Sequence, residues 1–275
     1  MDYTKVSIRL SDKNAIDILE AELAEIGFES FTSEGPDLKA YIPSDQYSES
    51  ESQNILEAYS ELIESHTTSS IEHTNWNAVW ESSYDPVWVD ERIFIHAPFH
   101  TPSPDAELNI ELEPNMSFGT GHHPTTHMML RAMRDVPLEG KKVVDFGAGS
   151  GILAIYAGHR GAHGIGIEID TNAADAARAN LEKNGTHSFE MITGDLAALV
   201  DERFDLILAN INRNVIEESL PTFRQRLTPR GWLLCAGFLN EDAEGLKNAL
   251  RAQGLEVKTE LSQDGWTMLA TQLTL

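Results

Sequence analysis

With 275 residues, 41% of them hydrophobic and 23% charged, the chain has the composition of an ordinary globular protein of one large domain or two unequal ones. No run approaches the roughly 18 apolar residues of a membrane span, the first residues lack the regions of a secretory signal, and Cys235 is the single cysteine; a membrane segment, export and an intrachain disulfide are not expected, and a cytoplasmic location is. The formal net charge of −24 argues against a nucleic-acid substrate, because phosphate contacts call for a basic face.

Residues 1–75 alternate strand and helix signals. Val6-Ser-Ile-Arg-Leu10 alternates apolar and polar residues, and residues 15–26 place Ile16, Leu19, Leu23 and Ile26 at helical spacing before Gly27. Strands are predicted at 28–31 and 38–42 around a Gly35-Pro36 turn, then an amphipathic helix at 52–64 and a strand at 70–74. The order βαββαβ is that of a ferredoxin-like domain. The Ser/Glu-rich patch at 48–52 reads as a solvated loop. This region holds 16 Asp and Glu against 4 Lys and Arg, 4 − 16 = −12, half of the whole excess. An acidic surface for a basic protein partner accounts for this, and so does solubility in a saline cytoplasm; the excess continues downstream, which favours the second.

Residues 76–100 form an aromatic-rich connector. Trp76 and Trp80 are four apart, on one side of any helix they share, and Pro86 limits that helix. The simplest role for these rings is an aromatic seam that packs the connector on a domain.

Residues 101–275 form the third region. A helix is predicted at 125–134; from 140 onward strands at 142–146, 164–169, 189–193, 204–209 and 232–238 alternate with helices at 152–160, 172–184, 215–227 and 243–252. The chain ends in two strands joined at Asp264-Gly265. This alternation implies an α/β, doubly wound parallel sheet with one antiparallel strand.

Candidate site residues fall at the carboxyl ends of the predicted strands. The loop Asp145-Phe-Gly147-Ala-Gly149-Ser-Gly151 joins a strand to a helix, where glycines let the backbone approach a ligand. Alone it is weak evidence, since dinucleotide-binding folds use a similar loop. Its G-x-G-x-G spacing differs from the dinucleotide G-x-G-x-x-G, and Asp145 stands where it can counter the positive amino-acid end of S-adenosylmethionine, directly or through water. Asp145 is otherwise an acid near a helix start. Glu168 closes the second strand and can accept both hydroxyls of an adenosine ribose; Asp170 competes for that role but stands where an N-cap is expected. Asp195 ends the third strand, where an acid commonly reads an adenine amino group. Asn210 ends the fourth, where a neutral amide can accept a hydrogen bond from an amine and orient it for attack; a plain turn residue is the alternative. His123 and His127 are four apart, but no further patterned Cys or His supports a metal, and none is expected.

Taken together, Trp76-Asn-Ala-Val-Trp80, Phe118-Gly-Thr-Gly-His-His-Pro-Thr-Thr126, Val144-Asp-Phe-Gly-Ala-Gly-Ser-Gly-Ile-Leu-Ala154, Gly166-Ile-Glu-Ile-Asp170 and Ala209-Asn-Ile211 resemble the ribosomal protein L11 methyltransferases, class I adenosylmethionine enzymes. The glycine loop is generic to that class; the Phe-Gly-Thr-Gly loop followed by Pro-Thr-Thr is the specific part. The resemblance implies that Thr126, Gly147, Glu168 and Asn210 contact S-adenosylmethionine, with Phe118 and Ile211 near its methyl group. It implies methylation of the α-amine and lysines of ribosomal protein L11, with an N-terminal domain, 1–75, recognising the substrate and the connector 76–100 repositioning that domain over the active site. A monomer that needs no nucleic acid is expected. Two departures stand out: Glu168 replaces the family's usual Asp, and Asn212-Arg213 replaces the small residues often found there. Methylation of another protein or of RNA, and a non-catalytic adenosylmethionine-binding module on the ribosome, are the alternatives.

Overall fold

The computed structural model describes residues 2–71, 84–114, 119, 121–198 and 202–274. The chain divides into two compact units, Met1–Ser83 and Tyr84–Leu275. Trp76, Trp80 and the last residues of the strand expected at 70–74 lie outside the described residues. Residues 84–100, the rest of the stretch read as a connector, belong to the second unit.

In the first unit, β1 (Tyr3–Leu10), α1 (Ile16–Glu25), β2 (Ser30–Glu34), β3 (Asp37–Pro43), α2 (Glu49–Ala58) and β4 (Ile63–Ile71) form an antiparallel sheet of order β2-β3-β1-β4 with two helices. Alternate residues Val6, Ile8 and Leu10 meet Leu19 and Leu23 of α1 in a closed core. Two expectations need correction. The Ser/Glu patch at 48–52 is no loop: Ser48 caps α2 by accepting from the Glu51 N–H at 3.4 Å, and acids in a first helical turn suit the helix dipole. The helix therefore starts and ends earlier than 52–64, and residues 63–64 already belong to β4. The strand expected at 70–74 thus begins earlier, and its start was not legible because β4 is exposed along almost all its length and carries no apolar alternation.

The second unit opens with β5 (Val87–Val89), β6 (Ile93–His96) and β7 (Leu108–Glu111), a small sheet that the connector reading did not foresee. Then come α3 (Pro124–Arg134), β8 (Lys142–Phe146), α4 (Ile152–His159), β9 (His163–Glu168), α5 (Thr171–Lys183), β10 (Phe189–Thr193), β11 (Phe204–Asn210), α6 (Arg213–Arg226), β12 (Leu227–Leu239), α7 (Ala243–Ala252), β13 (Leu255–Gln263) and β14 (Trp266–Leu273). The seven-stranded sheet runs β10-β9-β8-β11-β12-β14-β13; β14 alone opposes the others, as the Asp264-Gly265 hairpin requires.

Both faces of this sheet are buried. Along β11, Leu206 and Leu208 join one core with α3, α4 and α5, while Ile207 and Ala209 join the other with α6 and α7. Leu234 and Ala236 alternate with Leu233 and Cys235 in the same way along β12. The strand order reverses at β8, whose neighbours are β9 and β11, so a crevice opens beyond its carboxyl end. Among the described residues no helix is long and apolar enough to cross a membrane.

Candidate active site

A cavity of about 740 Å³ occupies that crevice. Of the residues singled out from the sequence, Thr126, Gly147, Gly149, Glu168, Asp195, Asn210 and Ile211 line it. Phe118 lies outside the described residues.

The glycine loop fixes the cavity floor. The Gly147 and Ala148 N–H groups donate to the Ile167 carbonyl at 2.8 and 3.0 Å, which locks the loop to the end of β9. Gly147 has φ +72°, and a Cβ there would sit 2.3 Å from Ile211 Cγ2, so this position admits only glycine. Ile211 itself is held by its N–H to the Ala236 carbonyl at 3.1 Å.

Glu168 clamps the loop from the other side. One carboxylate oxygen accepts from the Gly149 N–H at 2.9 Å and the other from the Asp170 N–H at 3.1 Å. Each oxygen retains a further lone pair, and the side chain still lines the cavity. Asp170 does what its position before a helix implies: its carboxylate accepts from the Ala173 N–H at 2.8 Å and caps α5. Asp195 is exposed and accepts from the Ala197 N–H at 2.8 Å.

Asp145 does not line the cavity. It is 1% exposed beneath the loop and accepts from the Ala154 N–H of α4 at 3.2 Å. Burial pushes its carboxyl up to about 7, against the Ala154 N–H bond, with the nearby negative charge of Glu168 adding to the rise.

Two polar atoms in the cavity walls stand out. Thr126 Oγ1 and Asn210 Oδ1 are buried and have no hydrogen-bond partner among the described residues. Leaving such atoms unpaired costs roughly 1–3 kcal/mol each, so a ligand that bonds both recovers that cost. Thr126 is presented by the first turn of α3, and Asn210 by the last residue of β11.

His123 and Trp266 complete one wall, with ring centroids 4.7 Å apart at 71°. The His123 imidazole caps α3, accepting from the Thr125 N–H at 3.3 Å, and desolvation holds its pKa below the ordinary value. His127 faces elsewhere: its Nε2 donates to the Gly121 carbonyl at 2.7 Å, and desolvation lowers its pKa too. Asn212 caps α6 through the Val215 N–H at 3.1 Å, and Arg213 pairs with Glu217 and Asp242 at 2.8 and 2.6 Å. These two residues therefore have a local structural use.

Sequence reasoning missed Trp266, His123 and Ile169 as lining residues. For Ile169 a signal existed: an apolar residue between two acids at a strand end, 74% exposed in the structure, serves no core. Trp266 carried none, because only the hairpin geometry brings β14 to the crevice.

The ribosomal protein L11 methyltransferase family model matches residues 2–274. The ribosomal protein L11 methyltransferase of Porphyromonas gingivalis is 37% identical over 265 residues, covering 94% of this chain and 91% of that protein. The protein of the same name from Chlorobaculum tepidum is 36% identical, covering 93% and 91%. A solved ribosomal protein L11 methylase from Lactobacillus delbrueckii subsp. bulgaricus superimposes with a TM-score of 0.65 and 26% identity, covering 70% of this chain and all of that one.

Proposed function

The chain belongs to the ribosomal protein L11 methyltransferase family, and from that premise we propose that it transfers methyl groups from S-adenosylmethionine to the α-amine and lysine side chains of ribosomal protein L11. The observation that carries the reading is the pair of unpartnered buried oxygens, Thr126 Oγ1 and Asn210 Oδ1, in the walls of the cavity above the glycine loop. The residues present fit S-adenosylmethionine, which when bound supplies a methyl group on a positively charged sulfur.

Glu168 accepts the ribose hydroxyls with the lone pairs that Gly149 and Asp170 leave over, and Asp195 accepts from the adenine amino group. Ile169 offers apolar surface to the adenine ring. Gly147 and Gly149 admit the amino-acid end close to the backbone, while Phe118 and Ile211 serve the methyl end. Asn210 accepts a hydrogen bond from the substrate amine and holds its lone pair in line. Orientation of this kind supplies much of the rate of a bimolecular displacement. Lysine titrates near 10.4 and an α-amine near 7.8, so the neutral amide leaves the amine free to lose its proton before attack.

The element order and strand order of the first unit support reading it as ferredoxin-like. In the proposed division of roles, residues 1–75 recognise the protein substrate, 76–100 connect, and 101–275 form the catalytic domain. The 16 acids against 4 bases of residues 1–75 suit a basic partner. The enzyme acts in this reading as a cytoplasmic monomer that needs neither membrane nor nucleic acid. Labelled S-adenosylmethionine with purified L11 tests the assignment: label on L11 is expected, and unlabelled L11 beside a protein that binds S-adenosylhomocysteine would contradict it.

A further inference from the structure

Helix α5 shows an apolar stripe of Ala173, Ala174, Ala177 and Leu181, yet one position on its buried face, Asn180, is polar and 1% exposed. A buried amide is costly unless its groups are bonded, and those of Asn180 are. Its Oδ1 accepts from the Glu113 N–H at 3.0 Å, and its Nδ2 donates to the Ser150 carbonyl at 3.0 Å. One turn later Asn184 grips Glu111, accepting from its N–H at 2.9 Å and donating to its carbonyl at 2.7 Å. Ser150 continues the chain of bonds: its Oγ donates to the Gly119 carbonyl at 2.6 Å. Gly119 has φ +107°, and a Cβ there would lie 2.8 Å from Ser150 Oγ, so the two segments meet too closely for another residue.

One helical side chain thus ties the exit of β7 to the glycine loop, and through Ser150 to Gly119. Gly119 and Gly149 both line the cavity; Asn180 and Ser150 do not. Filling the core would be served by alanine or leucine, as the neighbouring positions of α5 show. The polar pair is explained by what it spans.

We propose that Asn180 and Ser150 are positioning residues that hold the Gly119 and Gly149 walls of the cofactor cavity at their working separation, an inference that rests on the adenosylmethionine reading above. The Ser150 hydroxyl spans to Gly119, and Asn180 fixes the Ser150 backbone from which that hydroxyl reaches, so the two are coupled.

The test is a double-mutant cycle read by calorimetric affinity for S-adenosylhomocysteine, with thermal unfolding of the ligand-free proteins alongside. Ser150→Ala and Asn180→Ala are each expected to weaken binding about tenfold, and the double variant about tenfold as well, not a hundredfold. Ser150→Ala is also expected to leave the ligand-free unfolding midpoint nearly unchanged. Affinity within twofold of wild type for the folded variants, or additive losses in the double, would overturn the proposal. If Asn180→Ala does not fold, Ser150→Ala alone decides by the same tenfold criterion. A wild-type protein that does not bind S-adenosylhomocysteine would contradict the functional reading itself, whereas wild-type binding with unaffected variants contradicts only the positioning role.

Discussion

Asn210 illustrates how much a single residue carries. Its side-chain oxygen is buried at the end of β11 without a partner among the described residues, in a residue that lines the cavity. Asn210→Ala should lower kcat at least about a hundredfold, the scale of a lost orienting contact. Steady-state kinetics on L11 checks this, with S-adenosylhomocysteine affinity measured separately to divide orientation from binding. Asp145 carries a different kind of consequence. Its carboxyl titrates near 3.8 in the ordinary state and at about 7 in the fold, so the folded chain holds the proton more tightly. Stability from this group is therefore present at low pH and is lost as pH rises from about 4 to about 7. Asp145→Asn keeps an acceptor for the Ala154 N–H without the titration. Relative to that variant, the wild type should lose on the order of a few kcal/mol across this window in denaturant unfolding. Parallel profiles would show that Asp145 does not titrate there.

At the scale of elements, the strands and helices from 140 onward were legible because both sheet faces are buried and the apolar runs are unbroken between short turns. The ends were legible where chemistry marks them: Asp170 before α5 and Asp264-Gly265 in the last hairpin. Asp170→Ala should destabilise the second unit by about 1 kcal/mol in thermal or denaturant unfolding, the usual worth of an N-cap. The start of exposed β4 and the short β5, β6 and β7 went unread because a strand without one solvated and one buried face leaves no period to detect, and the aromatic residues of 76–100, Trp88, Phe94 and Phe99 among them, were read as a seam. Glu168 and Asn210 were legible as cavity-lining residues from their places at strand ends. That Asp145 lies beneath the loop and not in the cavity lining was not legible, because a loop acid aimed into a crevice and one buried beneath the loop share one sequence. Asn180 left one faint mark, a polar residue on an apolar helical stripe.

Across the whole molecule, the acidic excess is densest at the start of the chain. Residues 1–75 hold half of the net charge of −24 on about a quarter of the chain, and on the proposed reading they attract L11. Raising salt from low to physiological ionic strength and beyond should raise KM for L11 several-fold while leaving S-adenosylhomocysteine affinity nearly constant, since screening acts on exposed charge and little on a partly enclosed cavity. Equal KM at all salt concentrations would return the acidity to a solubility role. The most direct test of the central claim is tandem mass spectrometry of L11 after incubation with the enzyme and S-adenosylmethionine. The account predicts methyl groups on the α-amine and on lysine side chains, abolished or sharply reduced with Asn210→Ala. Unmodified L11, or methyl groups confined to residues other than these amines, would contradict it.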